Sequence, residues 1–445
     1  LAFNEAAMST ATRDGGRFAA WRPLAQRDFR LLWIGQSISS FGDQFYLVAL
    51  PWLILQLTGS SLKLGAVLLA ATIPRVAFQL VGGAVSDQVP PHKLMLVSNL
   101  LRGAVCAILT ALALLGALQL WHLFVLAAAF GTVDAFFYPA LRTFIPSIVH
   151  VDQLAPANAL LQGSNMLVKF MGPSVAGLVI AAASIGLAFG FDTVSFLIAA
   201  LCLLLMKRKG IAGADSAAAP SSPSSAGGSA EVSEVAGKTS APKARLMASI
   251  GEGLRYTLRD PVIRSLIIMV AVIEFSFAGP FTVGLASLAN QKFAGGSTIF
   301  GALLSALGGG LLLGTMLAGG LKTSLRLGTI LIPMSVALSV LLLLLGLVSN
   351  VYLACLLTAT MGAIGGYLQV LLAVWLQTKP EPQMRGRVFS VVLLCGFGFT
   401  PLSYVIAGAL IQISVSFMFI VTAGFLLLVT FFCALSGLTR GLSDA

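Results

Sequence analysis

The hydrophobic positions of this chain come in long runs of about 20 residues or more, separated by short polar or prolyl joints. A run of that length crosses the roughly 30 Å hydrocarbon layer of a bilayer as one helix. The runs fall near 30–57, 62–86, 93–119, 121–146, 158–183 and 185–206, and again near 262–290, 297–320, 325–347, 350–376, 385–412 and 414–437. The pattern predicts an all-α integral membrane protein of twelve transmembrane helices, six in each half. Strands of a membrane β-barrel would alternate in polarity over about 10 residues, and no such alternation dominates.

The joints carry the organisation. From Asp134 to Gly177 two apolar helices meet through a polar turn, the first carrying Asp134, the second Lys169 and a Gly172-Pro173 break. A weaker echo runs from Trp375 to Phe389 in the second half. Corresponding joints point to an internal repeat, with a substrate path between the repeats. The expected layout is an N-terminal segment 1–29, a six-helix bundle 30–206, a flexible linker 207–242 rich in Ala, Ser, Gly and Pro, an amphipathic surface helix 243–260, a second bundle 261–437 and a tail 438–445.

Composition agrees. With 58% hydrophobic and 10% charged residues among 445, the chain lacks the charge a soluble surface of that size needs. The net charge of +11 does not read as a nucleic-acid face, because Lys and Arg gather at alternate joints instead. Under the positive-inside rule this places both termini and the central loop in the cytoplasm of a multi-pass plasma (inner) membrane protein. Arg13 to Arg30 lead into a run too long for a signal-peptide core, so no cleavable signal is expected. Five cysteines sit inside apolar runs without paired or metal-ligand spacing and read as buried free thiols. His92, His122 and His150 lie at span ends and read as solvated.

Six ionisable residues fall near the membrane midplane. Asp43, Arg75, Arg102, Asp134, Lys169 and Glu274 each lie roughly 14 to 20 Å from the start of their span at 1.5 Å per residue. Asp192, nearer an end, is a seventh, weaker candidate. An ionised side chain facing lipid costs at least ~2.5–3.5 kcal/mol, so all six should face the interior, in one mutually neutralising wet pocket. For Arg102, Asp134 and Lys169 two readings stay open: permanent pairs that lock the bundle, or a working site. Asp43, beside Gly42, and Glu274, ahead of Gly279-Pro280, read as proton-coupling groups, with Asp134 a further candidate. Arg75, after Pro74, would bind an anionic substrate group or neutralise an acid. Phe45, Tyr46, Phe137, Tyr138, Phe277, Tyr367 and Trp375 lie near these charges; most read as packing, and a subset would line a cavity for an amphipathic organic ligand.

Two motifs add a family reading. Gly83, Asp87 and Lys93 at the end of the second span resemble the loop motif of the major facilitator superfamily, with Gln88, Pro90, Pro91 and His92 in place of its usual Arg, Gly and basic residues. Gly172, Pro173 and Gly177 resemble that superfamily's antiporter motif in shortened form. Together with Phe136 to Ala140, Asp192 to Phe196 and Arg385 to Val388, the chain from 30 to 437 resembles the branch with macrolide-efflux and enterobactin-exporter proteins. The resemblance implies the major facilitator fold, two pseudo-symmetric six-helix bundles, and efflux of an organic compound commonly coupled to inward proton movement.

Signatures of enzymes are missing: there is no G-x-S-x-G elbow, and Gly320-Leu-Lys322-Thr323 lacks the Gly-Lys junction of a phosphate loop. The expectation is therefore a monomeric secondary transporter for a small organic substrate, a drug or siderophore type of molecule. Its other partners would be protons and membrane lipids, with no nucleic acid, cofactor or metal. Two rivals are a lysophospholipid facilitator without proton coupling, marked by a lateral opening beside Arg75, and a non-transporting sensor or scaffold that binds a partner through 243–259.

Overall fold

The computed structural model describes residues 19–86, 88–207, 261–293, 295–320, 327–378, 388, 391–392 and 398–435, and every regular element among them is helical. A short 3-10 turn, Ala19–Ala25, leads into α1 (Arg27–Thr58), followed by α2 (Ser61–Ser86), α3 (Pro91–Leu114), α4 (Leu120–Ile148), α5 (Leu154–Ala182) and α6 (Ile185–Leu204). In the second half α7 runs as Pro261–Gly279, a π-helical turn Pro280–Gly284 and Leu285–Gln291. Then come α8 (Gly296–Gly320), α9 (Leu327–Leu347), α10 (Val351–Thr378), α11 (Thr400–Ile411) and α12 (Val415–Leu435). Eleven of these are long and apolar enough to cross a membrane, and α11 is the short one in its described part. Residues 208–260 and 436–445, with Asp87 and Arg385 to Arg387, lie outside the described residues, and so do the expected linker beyond Lys207, the amphipathic stretch and the tail.

Helices are the form these runs take because lipid offers nothing to bond a backbone N–H or C=O, so each run must satisfy its own. Their ends follow local chemistry. Gly59 closes α1 at φ 62°, its N–H bonding the Leu55 carbonyl at 2.8 Å. The Ser184 hydroxyl accepts the Leu187 N–H at 3.2 Å to open α6. Pro91 occupies the first turn of α3, where its missing N–H costs no helical bond.

Packing reveals the repeat. In the first half α1 packs on α5 and α6, α2 on α4, and α3 on α4 and α6; the second half pairs α7 with α11 and α12, α8 with α10, and α9 with α10 and α12. Adding six to every number turns the first set into the second. The same operation exchanges the two most extensive contacts between the halves, α2 on α11 and α5 on α8. The chain is thus two pseudo-symmetric six-helix bundles.

The joining contacts gather where α1 ends and α2 begins. There Ser61 Oγ lies 2.8 Å from Ser287 Oγ, Gln412 Nε2 donates to Ser60 Oγ at 3.3 Å, and Ser297 Oγ donates to the Gly177 carbonyl at 3.2 Å. At Gly65 the α2 backbone lies against the Tyr404 carbonyl of α11, a spacing that leaves no room for a Cβ.

One loop reading needs correcting. His92 is half-buried and not solvated: its Nε2–H donates to the Leu203 carbonyl at 2.7 Å, tying the start of α3 to the end of α6. A carbonyl in the last turn of a helix lacks an intrahelical donor, and the imidazole supplies one.

Candidate functional site

The ionisable residues form two groups, not the single pocket expected from their depth. The first lies inside the first bundle. Asp134 of α4, 6% exposed, sits between two guanidiniums: Arg102 Nη1 lies 3.3 Å from Oδ1, and Arg75 Nη2 lies 3.1 Å from Oδ2. Arg102, only 1% exposed, also donates from Nη2 to Asn99 Oδ1 at 2.6 Å, one turn back on α3. Its guanidinium carbon lies 4.1 Å from the Phe137 ring centroid and 4.6 Å from that of Phe196. A guanidinium so thoroughly removed from water needs this combination of carboxylate, amide and ring faces. Arg75 is different, since 49% of its side chain stays accessible on α2.

Asp192 belongs to the same group although the sequence ranks it last. It is fully buried on α6, accepts from the Cys106 thiol at 3.2 Å, and has Ser195 Oγ 3.3 Å from its Oδ1. A Cβ at Gly42 would stand 2.6 Å from Asp192 Oδ1, so that glycine is what lets α1 close on α6. Asp43, the next residue, is partly exposed and makes no ion pair among the described residues. This group therefore holds three carboxylates against two guanidiniums.

The second group lines a cavity of about 560 Å³ between the bundles. Its wall is largely apolar, with Phe277 and Phe281 of α7, Leu304 and Leu311 of α8, Leu338 of α9 and Met361 of α10. Lys169 of α5 and Glu274 of α7 face it, joined by the amides Gln44 of α1 and Gln369 of α10 and by Thr282. Lys169 and Glu274 form no ion pair with each other, and neither has another ion-pair partner among the described residues. Lys169 thus has no ion-pair partner among the described residues, whereas Arg102 and Asp134 pair with each other.

The division has a simple cause. Asp43 and Gln44 are neighbours in sequence, but successive helical positions point about 100° apart, so the first lies within electrostatic reach of Arg102, Asp134 and Arg75 and the second lines the cavity.

Both charged walls of the cavity stand at helix breaks. Pro173 has no N–H to bond the Lys169 carbonyl; Gly308 of α8 packs against that carbonyl, and the Ser174 N–H donates across the halves to Ser305 Oγ at 2.9 Å. In α7 the Gly279 N–H and the Phe275 C=O, one turn apart, both reach a side chain of another helix. Ser403 of α11 inserts its hydroxyl there, accepting from Gly279 N–H at 2.8 Å and donating to Phe275 O at 2.5 Å. Gly172, whose Cα faces the Gln44 side chain, and Gly177, which lies against Ser297 and Gly301, make the antiporter-like motif a crossing of α1, α5 and α8.

Of the aromatic candidates, Phe277 lines the cavity, paired with Phe281 at 4.8 Å between centroids. Tyr138 lies 5.8 Å from the Arg75 guanidinium, and Phe137 lies under Arg102. Tyr46 stacks on Phe130 at 4.3 Å; Phe45 and Trp375 are core residues, and half-buried Tyr367 does not line the cavity. Of the loop motif, Gly83 lies in the last turns of α2, Lys93 is exposed in the first turn of α3, and Asp87 is outside the described residues. Gln44, Gln369, Ser305 and Ser403 were missed from sequence. Each is an uncharged polar residue inside an apolar run, a signal that spacing to the nearest acid or proline would have sharpened. Among the described residues no three His, Cys, Asp or Glu side chains come together as metal ligands would.

Known proteins bear on this arrangement. The chain matches the family described as transmembrane secretion effector over residues 18–217 and 230–443, which takes in both bundles. The multidrug efflux pump Tap of Mycolicibacterium fortuitum is 26% identical over 377 residues, 83% of this chain and 85% of that protein. Macrolide efflux protein A of Streptococcus pyogenes is 23% identical over 179 residues, 40% of this chain and 44% of that protein. Among solved structures, a POT family transporter in complex with 5-aminolevulinic acid superposes with a TM-score of 0.71 at 11% identity, covering 94% of this chain and 97% of its own. A bacterial homologue of the iron transporter ferroportin, in an inward-facing state, gives 0.68 at 17% identity over 94% of this chain and 99% of its own. At such identities the structural likeness speaks to the fold alone. With a family match over both bundles and a cavity between them, the chain belongs to the transmembrane secretion effector family of the major facilitator superfamily, membrane transporters and not enzymes.

Proposed function

We propose that this protein exports an amphipathic organic compound by alternating access, the two bundles rocking about the cavity between them. The observation that carries the reading is the cavity itself: about 560 Å³ of mostly apolar wall with two unpaired charges and two amides, the size and chemistry of a small organic ligand's site. The multidrug and macrolide efflux proteins among its relatives support the drug-like class. Basic joints put both termini in the cytoplasm of the inner membrane. The Ser61–Ser287 end is then the outer one, and the halves touch there.

Proton antiport supplies the driving force, with Asp43 or Glu274, or both, taking a proton from outside and releasing it inside. These two carboxylates have no ion pair among the described residues, so gaining a proton breaks none there. Asp134, the third candidate, is engaged by two guanidiniums, so taking it into a proton relay would break two ion pairs. In inverted membrane vesicles, Asp43→Asn and Glu274→Gln should each reduce uptake driven by a pH gradient, and the double variant should abolish it. Undiminished gradient-driven uptake in the double variant would remove both from coupling.

A further inference from the structure

The proton-coupling reading leaves Lys169 without a task. It is the only cation in the described cavity wall and Glu274 the only anion, and they come from different bundles, one on α5 and the other on α7. Each is unpaired, whereas Asp134, in the other group, engages two guanidiniums. Both side chains are exposed into the cavity, where charged groups of a ligand can reach them. A proton on Glu274 would neutralise the acid alone and leave Lys169 as it was.

Neither charge is on a freely moving stretch of helix. The Lys169 carbonyl, freed by Pro173, packs on Gly308, and the adjoining turn is bonded to Ser305 of the other bundle. Glu274 precedes Phe275, whose carbonyl is bonded by Ser403. Two opposite charges are therefore held at anchored breaks around an apolar space, and the space between them is where a ligand's own charges would be met.

We infer that the cavity selects amphoteric compounds: an apolar, ring-bearing body with an anionic group set against Lys169 and a cationic group set against Glu274. This rests on the export reading above and names its substrate class. A molecule of that kind bridges the two bundles by an ion pair to each, while a simple cation or anion satisfies one side only. Phe277 and Phe281 supply the ring contact.

Four probes that share one fluorophore test this by equilibrium titration of the purified full chain in detergent at fixed pH. They are Nε-dansyl-lysine, a zwitterion; dansylcadaverine, a cation; dansylglycine, an anion; and dansylamide, uncharged. The wild type should bind the zwitterion about tenfold tighter than the cation or the anion. Lys169→Gln should bring the zwitterion to the level of dansylcadaverine and leave dansylcadaverine unchanged; Glu274→Gln should bring it to the level of dansylglycine. Unaltered dansylamide binding shows that each variant is folded with its cavity open to the apolar body. Equal binding of zwitterion and cation by the wild type, or an unchanged order in Lys169→Gln, overturns the inference and leaves export of amphipathic compounds standing. If none of the four binds the wild type and none is moved in inverted vesicles, the export reading falls with it.

Discussion

Asp134 and Asp43 show how little a residue type says about its role inside a bundle. Both are aspartates at similar depth, yet one is gripped by Arg75 and Arg102 and the other makes no ion pair. The consequence is a difference in stability. Asp134→Asn strands Arg102, 1% exposed, with its charge uncompensated, and removing one partner of a buried pair costs about 3–5 kcal/mol. Asp43→Asn removes no pair and should change stability far less. Thermal unfolding of the two purified variants in the same detergent checks this; equal losses would mean that the Asp134 bridges are not what holds the cluster. Asp192 adds a second lesson. Its nearness to a span end made it look peripheral, but a thiol, a hydroxyl and the bare Cα of Gly42 enclose it completely.

Among the elements, α7 is where sequence and neighbours act together. Gly279-Pro280 marks a weak point that any reader of the chain would find, and the π-helical turn Pro280–Gly284 follows it. What this turn looks like depends on α11, because Ser403 bridges the Gly279 N–H and the Phe275 carbonyl. Ser403→Ala leaves a buried N–H and a buried carbonyl without that partner, at a cost of about 1–3 kcal/mol. The variant should unfold at a lower temperature and, since Glu274 and Phe277 flank the break, bind cavity ligands more weakly. An unchanged unfolding midpoint would show that α7 closes into a regular turn unaided. In α8, by contrast, glycines open two faces to close backbone approach. Gly301 and Gly308 admit the α5 backbone, and Gly310 and Gly314 admit that of α10.

For the whole molecule the pseudo-symmetric pairing of helices makes rocking the expected motion, and the contact at Ser61 and Ser287 is the part that must open. A Ser61→Cys, Ser287→Cys double variant should cross-link under oxidation, since the two hydroxyl oxygens lie 2.8 Å apart. Transport should stop on oxidation and return on reduction, with both single variants unaffected. Full transport by the cross-linked protein would show that the bundles do not part at this end.

The amino-acid sequence alone determined the long apolar spans, the limits of most of the described helices to within a few residues and the family of the fold. All of these follow from position along the chain: span length and depth are counts of residues multiplied by a fixed helical rise. Direction around each helix, and the neighbour met in that direction, is absent from such a count. Only the tertiary structure decided that Asp43 lies within electrostatic reach of the arginines while adjacent Gln44 reaches the cavity, that Lys169 and Glu274 have no ion-pair partner among the described residues, and that Tyr46 and Trp375 are packing. Those outcomes depend on how each helix is rotated against its neighbours. That rotation is settled by close glycine contacts, prolyl breaks and serine bridges between segments far apart in the chain.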